Sequence, residues 1–379
     1  MDDTAVAASA SPSGLRDVAV AGDGGPPVSA AVRPVDVTVI VATPFWSGHF
    51  ERCARRVLHL IDRSAVAAEL LIALEGRAPT RPEWLDHPAV RVVATSGPSG
   101  PAAARNLAAR SARGRILLFV DAEVELGDGA IDRVSAAFDG DPDLVGLVGA
   151  YDDDPPATGT VSVFRALLHH HIHATHAGPV DTFWSGCGAV RTAAFLDIGG
   201  FDESRACPSI EDIDLGTRIA THGGRILLLP ELTCKNLKRW TLASMVLTDV
   251  RHRAVPWTRL IMSKRVLPAS LNLDWRGRTS ALVALVLAAC LVGTVFAPQT
   301  AWGLLACGLA LAWLNRDFYA LCARKHGAVF AASAAMLHWL YFLYSALTFA
   351  AVAAWEVARG LRRPPRVPAG TTGLSPAGR

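Results

Sequence analysis

Residues 279–315 contain no charged side chain, and Ala297-Pro298-Gln299-Thr300 interrupts the run near its middle. A tract of that kind needs an apolar surrounding. With a turn at its centre it predicts a helical hairpin, 279–297 and 299–315, each arm just long enough to cross a bilayer. A further apolar stretch, 327–355, predicts a third span, long enough to tilt or protrude. The connection before it holds Arg316, Arg324 and Lys325 against Asp317 alone, which predicts a cytosolic loop and a cytosolic location for the chain upstream of the hairpin. Arg359, Arg362, Arg363 and Arg366 then fall on the far side, against the same charge rule.

This tail accounts for a mean hydropathy of +0.29, high for a chain whose charged residues make up 19%. A net charge of +3 is too small to predict nucleic-acid binding. The basic charge is instead local. Residues 235–278 hold ten Lys or Arg against Asp249 and Asp274, mixed with Trp240, Leu242, Trp257 and Leu260 and divided by Pro256. Two short amphipathic helices over 236–278, lying in the headgroup layer of an anionic membrane, fit that mixture. The seven cysteines form no C-x-x-C pair and no zinc spacing, which predicts free thiols in a reducing compartment.

Upstream, residues 1–34 are Ala, Ser, Gly, Pro and Asp with few large apolar side chains, so disorder is expected and a signal peptide is not. From 35 to 235 the pattern alternates. Short apolar runs at 37–42, 69–74, 91–95, 116–120 and 144–150 predict buried strands. Helical stretches at 48–61, 102–112, 129–138, 161–177 and 211–222 lie between and beyond them. The fold class is therefore α/β with a mostly parallel, doubly wound sheet, whose ligands bind at the carboxyl ends of the strands.

Glu75, Asp121 and Glu123 all fall at such ends. Alternate residues of an extended chain project together, so Asp121 and Glu123 offer two hard oxygen ligands for a divalent cation and the phosphates it carries. Two glycines around Cys187, Gly186 and Gly188, predict a close backbone approach. Glu211, Asp212 and Asp214 open a helix, where acids are favoured by its dipole whatever else they do. His169, His170, His171, His173 and His176 have spacings that suit a metal, yet no acid or cysteine is interleaved, so packing is the preferred account.

In order, Thr43-Pro44, Glu75, Ala104-Arg105-Asn106, Asp121-Ala122-Glu123, Gly186-Cys187-Gly188, Gly199-Gly200-Phe201-Asp202-Glu203, Glu211-Asp212 and Lys238-Arg239-Trp240 resemble the family-two nucleotide-sugar glycosyltransferases with a GT-A fold. The resemblance runs over about 37–240. It implies donor binding by Thr43, Pro44, Glu75, Arg105 and Asp121, and Mg²⁺ or Mn²⁺ on Glu123 with Asp121. It implies acceptor or diphosphate contacts from Gly186, Cys187, Glu211, Arg239 and Trp240, with Asp212 as the general base of an inverting transfer. The expected partners are a nucleotide sugar and a lipid or polyprenyl-phosphate acceptor at the cytosolic face of a multi-pass membrane protein. Two positions depart from the pattern. Glu123 stands where aspartate is commoner, and Asn236 where many relatives have a histidine. A catalytically decayed scaffold is one rival reading. A sugar-nucleotide nucleotidyltransferase is another, and the absence of Lys or Arg from 43–48 speaks against it.

Overall fold

A computed structural model describes residues 34–75, 82–95, 100–204, 210–264 and 274–362, with no account of the side chains of Glu75, Ser263, Lys264 and residues 360–362. The expectation of disorder over 1–34 falls almost wholly outside the described residues, and a second sequence expectation, a disordered tail over 357–379, falls mostly outside them as well.

The expected strands form β1 (Val37–Thr43), β2 (Ala68–Glu75), β3 (Val90–Thr95) and β4 (Ile116–Asp121), parallel in the order β3-β2-β1-β4. Their side chains divide by parity, as a pleated strand requires. Val37, Val39, Val41, Leu118 and Val120 pack with Phe50, Val57 and Ile131 on one face. Ile40, Leu71, Leu117 and Phe119 pack with Ala104, Phe195 and Leu215 on the other. Thus α1 (Gly48–Arg63) and α3 (Ala130–Gly140) cover one face. The helices α2 (Gly100–Ser111), α5 (Thr192–Asp197) and α6 (Glu211–Thr221) cover the other.

Beyond β4 the sheet stops being parallel. It continues through β8 (Cys187–Arg191), β6 (Leu144–Tyr151), β9 (Arg225–Asn236) and β5 (Val124–Leu126), with β7 (Gly178–Val180) also on β9. The strand β8 runs antiparallel to both β4 and β6, and β9 runs antiparallel to β5 and β7 but parallel to β6. The expectation of a mostly parallel sheet therefore holds for the first half and is corrected for the second. The longest of the unforeseen strands, β9, contains Pro230, which has no N–H to give a ladder. The β6–β9 register shifts between Val148↔Leu228 and Ala150↔Thr233, and Pro230 lies within the skipped stretch.

α4 (Thr160–Thr175) carries His169, His170, His171 and His173, with His176 as its C-cap, and packs against the C-terminal helices. The expected division at Pro256 is not found. α7 (Leu242–Thr248) passes through a π-type turn, Asp249–Ala254, into α8 (Val255–Lys264). A proline clashes with the carbonyl four residues back, and a wider turn just before it relieves that clash without ending the helix.

α9 (Trp275–Gly293), α10 (Ala301–Leu314) and α11 (Arg316–Arg362) follow, and α11 is broken at Gly327, whose φ of 84° few other residues adopt. By length and composition, α9 and α11 are able to cross a membrane. The 14 residues of α10 reach only about 21 Å, short of a hydrocarbon core of about 30 Å. The three expected spans are thus two qualifying helices and one short one. The expected loop at 316–326 is helical, and it returns to the α/β unit. Phe318 meets Phe164 of α4 at 6.0 Å between ring centroids, and Lys325 pairs with Asp153 at 2.5 Å.

Candidate active site

The parallel register sets the edge of the site. Ala42 lies opposite Asp121, and Thr43 opposite Leu74, so the ends of β1, β2 and β4 stand side by side. Glu75 is the last residue of β2, with its side chain outside the described residues. The Thr43 hydroxyl donates to the Phe45 carbonyl at 2.7 Å and fixes the turn that carries exposed Pro44.

Asp121, Ala122 and Glu123 form the turn between β4 and β5. The backbone pins it on two sides: Asp121 N–H donates to Gly186 O at 3.2 Å, and Leu237 N–H donates to Glu123 O at 2.9 Å. Gly186 has to lack a side chain here, since a Cβ would fall 2.4 Å from the Trp184 indole. The Asp121 and Glu123 carboxylates are 38% and 48% exposed. Glu123 holds the Lys238 ammonium at 3.3 Å, and Lys238 also lies over the Trp240 ring at 4.9 Å. Asn236 pairs with Val124 across the ladder, next to this turn.

Arg105 joins the two acidic motifs. Only 8% exposed, it projects from α2, donates to Asp121 Oδ1 at 2.7 Å and to Glu211 Oε1 at 2.9 Å, and lies 5.7 Å from the Phe201 ring centroid. A planar guanidinium with several N–H donors can bridge two carboxylates, whereas an ammonium is a single point charge. Its neighbour Asn106 fixes the loop before α6 by bonding both the carbonyl and the N–H of Phe201.

Asp212 stands in the first turn of α6, 9% exposed. Its Oδ2 accepts from Ser185 N–H at 3.3 Å and from the Ser185 hydroxyl at 3.4 Å, and its Oδ1 accepts from Ile213 N–H at 2.8 Å. Burial and the adjacent Glu211 charge raise its pKa to about 7, against the pull of Arg105. A carboxylate poised near neutrality suits proton transfer at neutral pH.

The structure brings Arg105, Asp121, Glu123, Gly186, Glu211 and Asp212 to one edge of the sheet. Cys187 is not among them, being fully buried within β8 where its sulfur lies close to Gly149. Arg239 is exposed. Trp240 is buried in the joint with α4, where its backbone bonds the Ser162 hydroxyl both ways. The roles of Ser185 and Lys238 were not legible in the sequence, since a serine in a Gly-rich turn and a lysine in a basic run carry no distinguishing signal. The histidines pack. His169 and His173 stack on Tyr151 at 5.6 and 5.8 Å, His170 bonds the Tyr151 carbonyl, and His171 meets Phe318.

Residues 84–252 match the family model described as glycosyltransferase like family 2. They form a glycosyltransferase domain. The matched segment includes Arg105, Asp121, Glu123, Ser185, Glu211, Asp212 and Lys238. Among solved structures, the mannosyltransferase PcManGT from Pyrobaculum calidifontis, determined with GDP-Man and Mn²⁺, is 18% identical with a TM-score of 0.50, over 85% of this chain and 86% of that one. At that identity the likeness speaks for the fold, and the mixed sheet of the glycosyltransferase domain is consistent with GT-A. GalNAc-T7, determined with UDP, GalNAc and Mn²⁺, is 14% identical with a TM-score of 0.42, over 54% of this chain and 44% of that one. No curated protein matches.

Proposed function

We propose that this glycosyltransferase moves a sugar, with inversion, from a nucleoside diphosphate donor to a lipid or polyprenyl-phosphate acceptor at the cytosolic membrane face. The observation that carries the reading is the hydrogen-bonded chain Asp121–Arg105–Glu211, half-open at Asp121 and buried at Glu211, leading to Asp212, whose pKa is raised to about 7. On a hydroxyl-bearing lipid acceptor Asp212 takes the hydroxyl proton as that oxygen attacks the anomeric carbon, whereas a polyprenyl phosphate, already ionised, would attack through its own phosphate oxygen. The bond from that carbon to the diphosphate breaks on the opposite face, and the nucleoside diphosphate leaves.

Asp121 and Glu123 would hold a divalent cation. Both are oxygen donors, as Mg²⁺ and Mn²⁺ prefer, and the pairing of Lys238 with Glu123 supports the reading that this carboxylate takes positive charge. Such an ion supplies positive charge to the leaving diphosphate. The membrane reading rests on the outward faces of the C-terminal helices, where Leu282, Val286, Trp302, Leu309, Trp313 and Val329 are all more than half exposed. Lys325 on Asp153 ties 316–326 to the catalytic side, which agrees with a cytosolic domain.

The test is nucleoside diphosphate release from a panel of nucleotide sugars with membrane lipid extract, with and without Mn²⁺. One donor should be consumed, in a metal- and lipid-dependent manner. The Asp212→Asn variant should bind that donor normally and turn over about 10²–10⁴-fold more slowly. Because the base works only when ionised, wild-type kcat should rise as pH climbs through about 7 and fall away below it. Full activity in Asp212→Asn would remove it as the base, and a soluble acceptor preferred over lipid would remove the membrane acceptor.

A further inference from the structure

Two guanidinium groups and one carboxylate meet where α4 packs on the π-type turn. Asp249 is buried, and its oxygens are already occupied. Both terminal nitrogens of Arg165 donate to it, and the Tyr344 hydroxyl donates to Oδ2 at 2.5 Å. Arg253, one turn further on, stands 3.8 Å from the same carboxylate and 3.3 Å from His169 Nε2. Among the described residues Arg253 has no other ion-pair partner. A second positive charge therefore stands at the mouth of the recess, beside a buried carboxylate whose oxygens are already used and without a carboxylate of its own.

The hydrogen-bond inventory points the same way. Burial, together with Arg165 and Arg253, pushes the His169 pKa well below the usual value and keeps the ring neutral. If Nε2 accepts from Arg253, the proton sits on Nδ1, which is buried with no partner among the described residues. Arg165 Nε is likewise buried with no partner among the described residues. Arg165 and His169 are four apart on α4 and so share a face. The group offers donors and positive charge in excess of acceptors. Arg253 is its accessible member, with a side chain 39% exposed.

The recess adjoins the reaction edge. Tyr151 stacks on His169 and packs against Trp184 at 4.6 Å, and Trp184 precedes the Ser185 that holds Asp212. Burial raises the Tyr151 phenol's pKa, with Cys234 and Asp121 adding to the rise and Arg253 opposing it, so Tyr151 lies within the fields of both Asp121 and Arg253.

We infer that Arg253, backed by Arg165 and His169, forms an anion subsite that holds the phosphate of a lipid acceptor bearing both a phosphate and a separate hydroxyl, while that hydroxyl meets Asp212. This rests on the glycosyl-transfer reading above. A phosphate monoester carries nearly two charges at neutral pH and several acceptor oxygens, matching a guanidinium fork with unmet donors behind it. It is already ionised at that pH and needs no base, which leaves Asp212 to serve a separate hydroxyl.

The experiment is calorimetric titration of the full chain in detergent micelles with geranyl phosphate, geraniol and inorganic phosphate. Geranyl phosphate should bind about tenfold or more tightly than geraniol. Arg253→Gln should erase that preference, Arg253→Lys should keep part of it, and nucleoside diphosphate binding should be unchanged in both. Displacement of geranyl phosphate by inorganic phosphate assigns the subsite to phosphate itself. No displacement, with the preference intact, assigns it to a lipid headgroup. Equal binding of alcohol and phosphate, or a preference that survives Arg253→Gln, overturns the inference. The wild-type comparison needs no variant and stays decisive if Arg253→Gln fails to fold. Nucleoside diphosphate binding in the same preparation reports on the donor reading alone, so the two readings fail separately.

Discussion

Arg105 and Arg165 are both buried arginines bonded to carboxylates, yet their surroundings differ in the sign of the surplus charge. Arg105 serves two carboxylates, Asp121 and Glu211, with Asp212 and Glu123 close by, so the donor edge is left negative. Arg165 shares one carboxylate, Asp249, with a second guanidinium, so the joint between α4 and the C-terminal helices is left positive. A buried ion pair stabilises little by itself, because desolvation offsets most of the attraction. What each arginine contributes is placement. On the readings proposed above, the first suits a cation and the sugar diphosphate it would accompany and the second an anion, and Tyr151 and Trp184 lie between them.

The comparison breaks most visibly at the joint. Removing Arg165 leaves buried Asp249 with only the Tyr344 hydroxyl and the more distant Arg253, so Arg165→Met should destabilise the protein by about 3 kcal/mol, read as a lowered denaturation midpoint. Arg165→Met combined with Asp249→Leu should recover much of that loss, because no carboxylate is then stranded. If the double variant is no more stable than the single one, the pair is not the unit that holds the joint. A smaller effect is expected at the donor edge. Arg105→Lys keeps the charge but cannot reach both Asp121 and Glu211, and losing one charge-assisted bond should cost about 1.5–3 kcal/mol of donor binding or transition-state stabilisation. Unchanged kcat/KM would mean that the bridge is only structural.

These two regions were unequally legible in the sequence. The donor edge could be read because its parts are local: an apolar run that ends in two acids, a helix that opens on Glu211-Asp212, and Arg105 before Asn106 in a helix facing them. The strands β1 to β4 follow from apolar runs buried on both faces. The strand β9 could not be read, because Pro230 argues against a central strand and only the register shift with β6 accommodates it. The joint was hidden for a different reason. Arg165 and Asp249 are 84 positions apart, and each looks in the sequence like an ordinary surface charge, one within a histidine-rich helix and the other in a basic run. Pro256 added a false boundary, since the wide turn that absorbs it leaves no mark on hydrophobic periodicity.

The smallest expected effect sharpens the comparison furthest. Lys238 sits on Glu123 in a largely solvated pair, and such pairs contribute about 1 kcal/mol or less to stability. Lys238→Met should therefore leave the denaturation midpoint almost unmoved. The same ammonium competes with any divalent ion for Glu123, so the variant should bind Mn²⁺ several-fold more tightly in the absence of donor, a shift of about 1 kcal/mol measurable by the loss of the free Mn²⁺ resonance signal. With donor present the sign should reverse, because Lys238 freed from Glu123 is a cation beside the diphosphate, and its loss should raise the donor KM. If Mn²⁺ affinity and donor KM both stay fixed, Lys238 belongs to the Trp240 packing and not to the donor edge. The negative surplus around Arg105 would then be balanced without it.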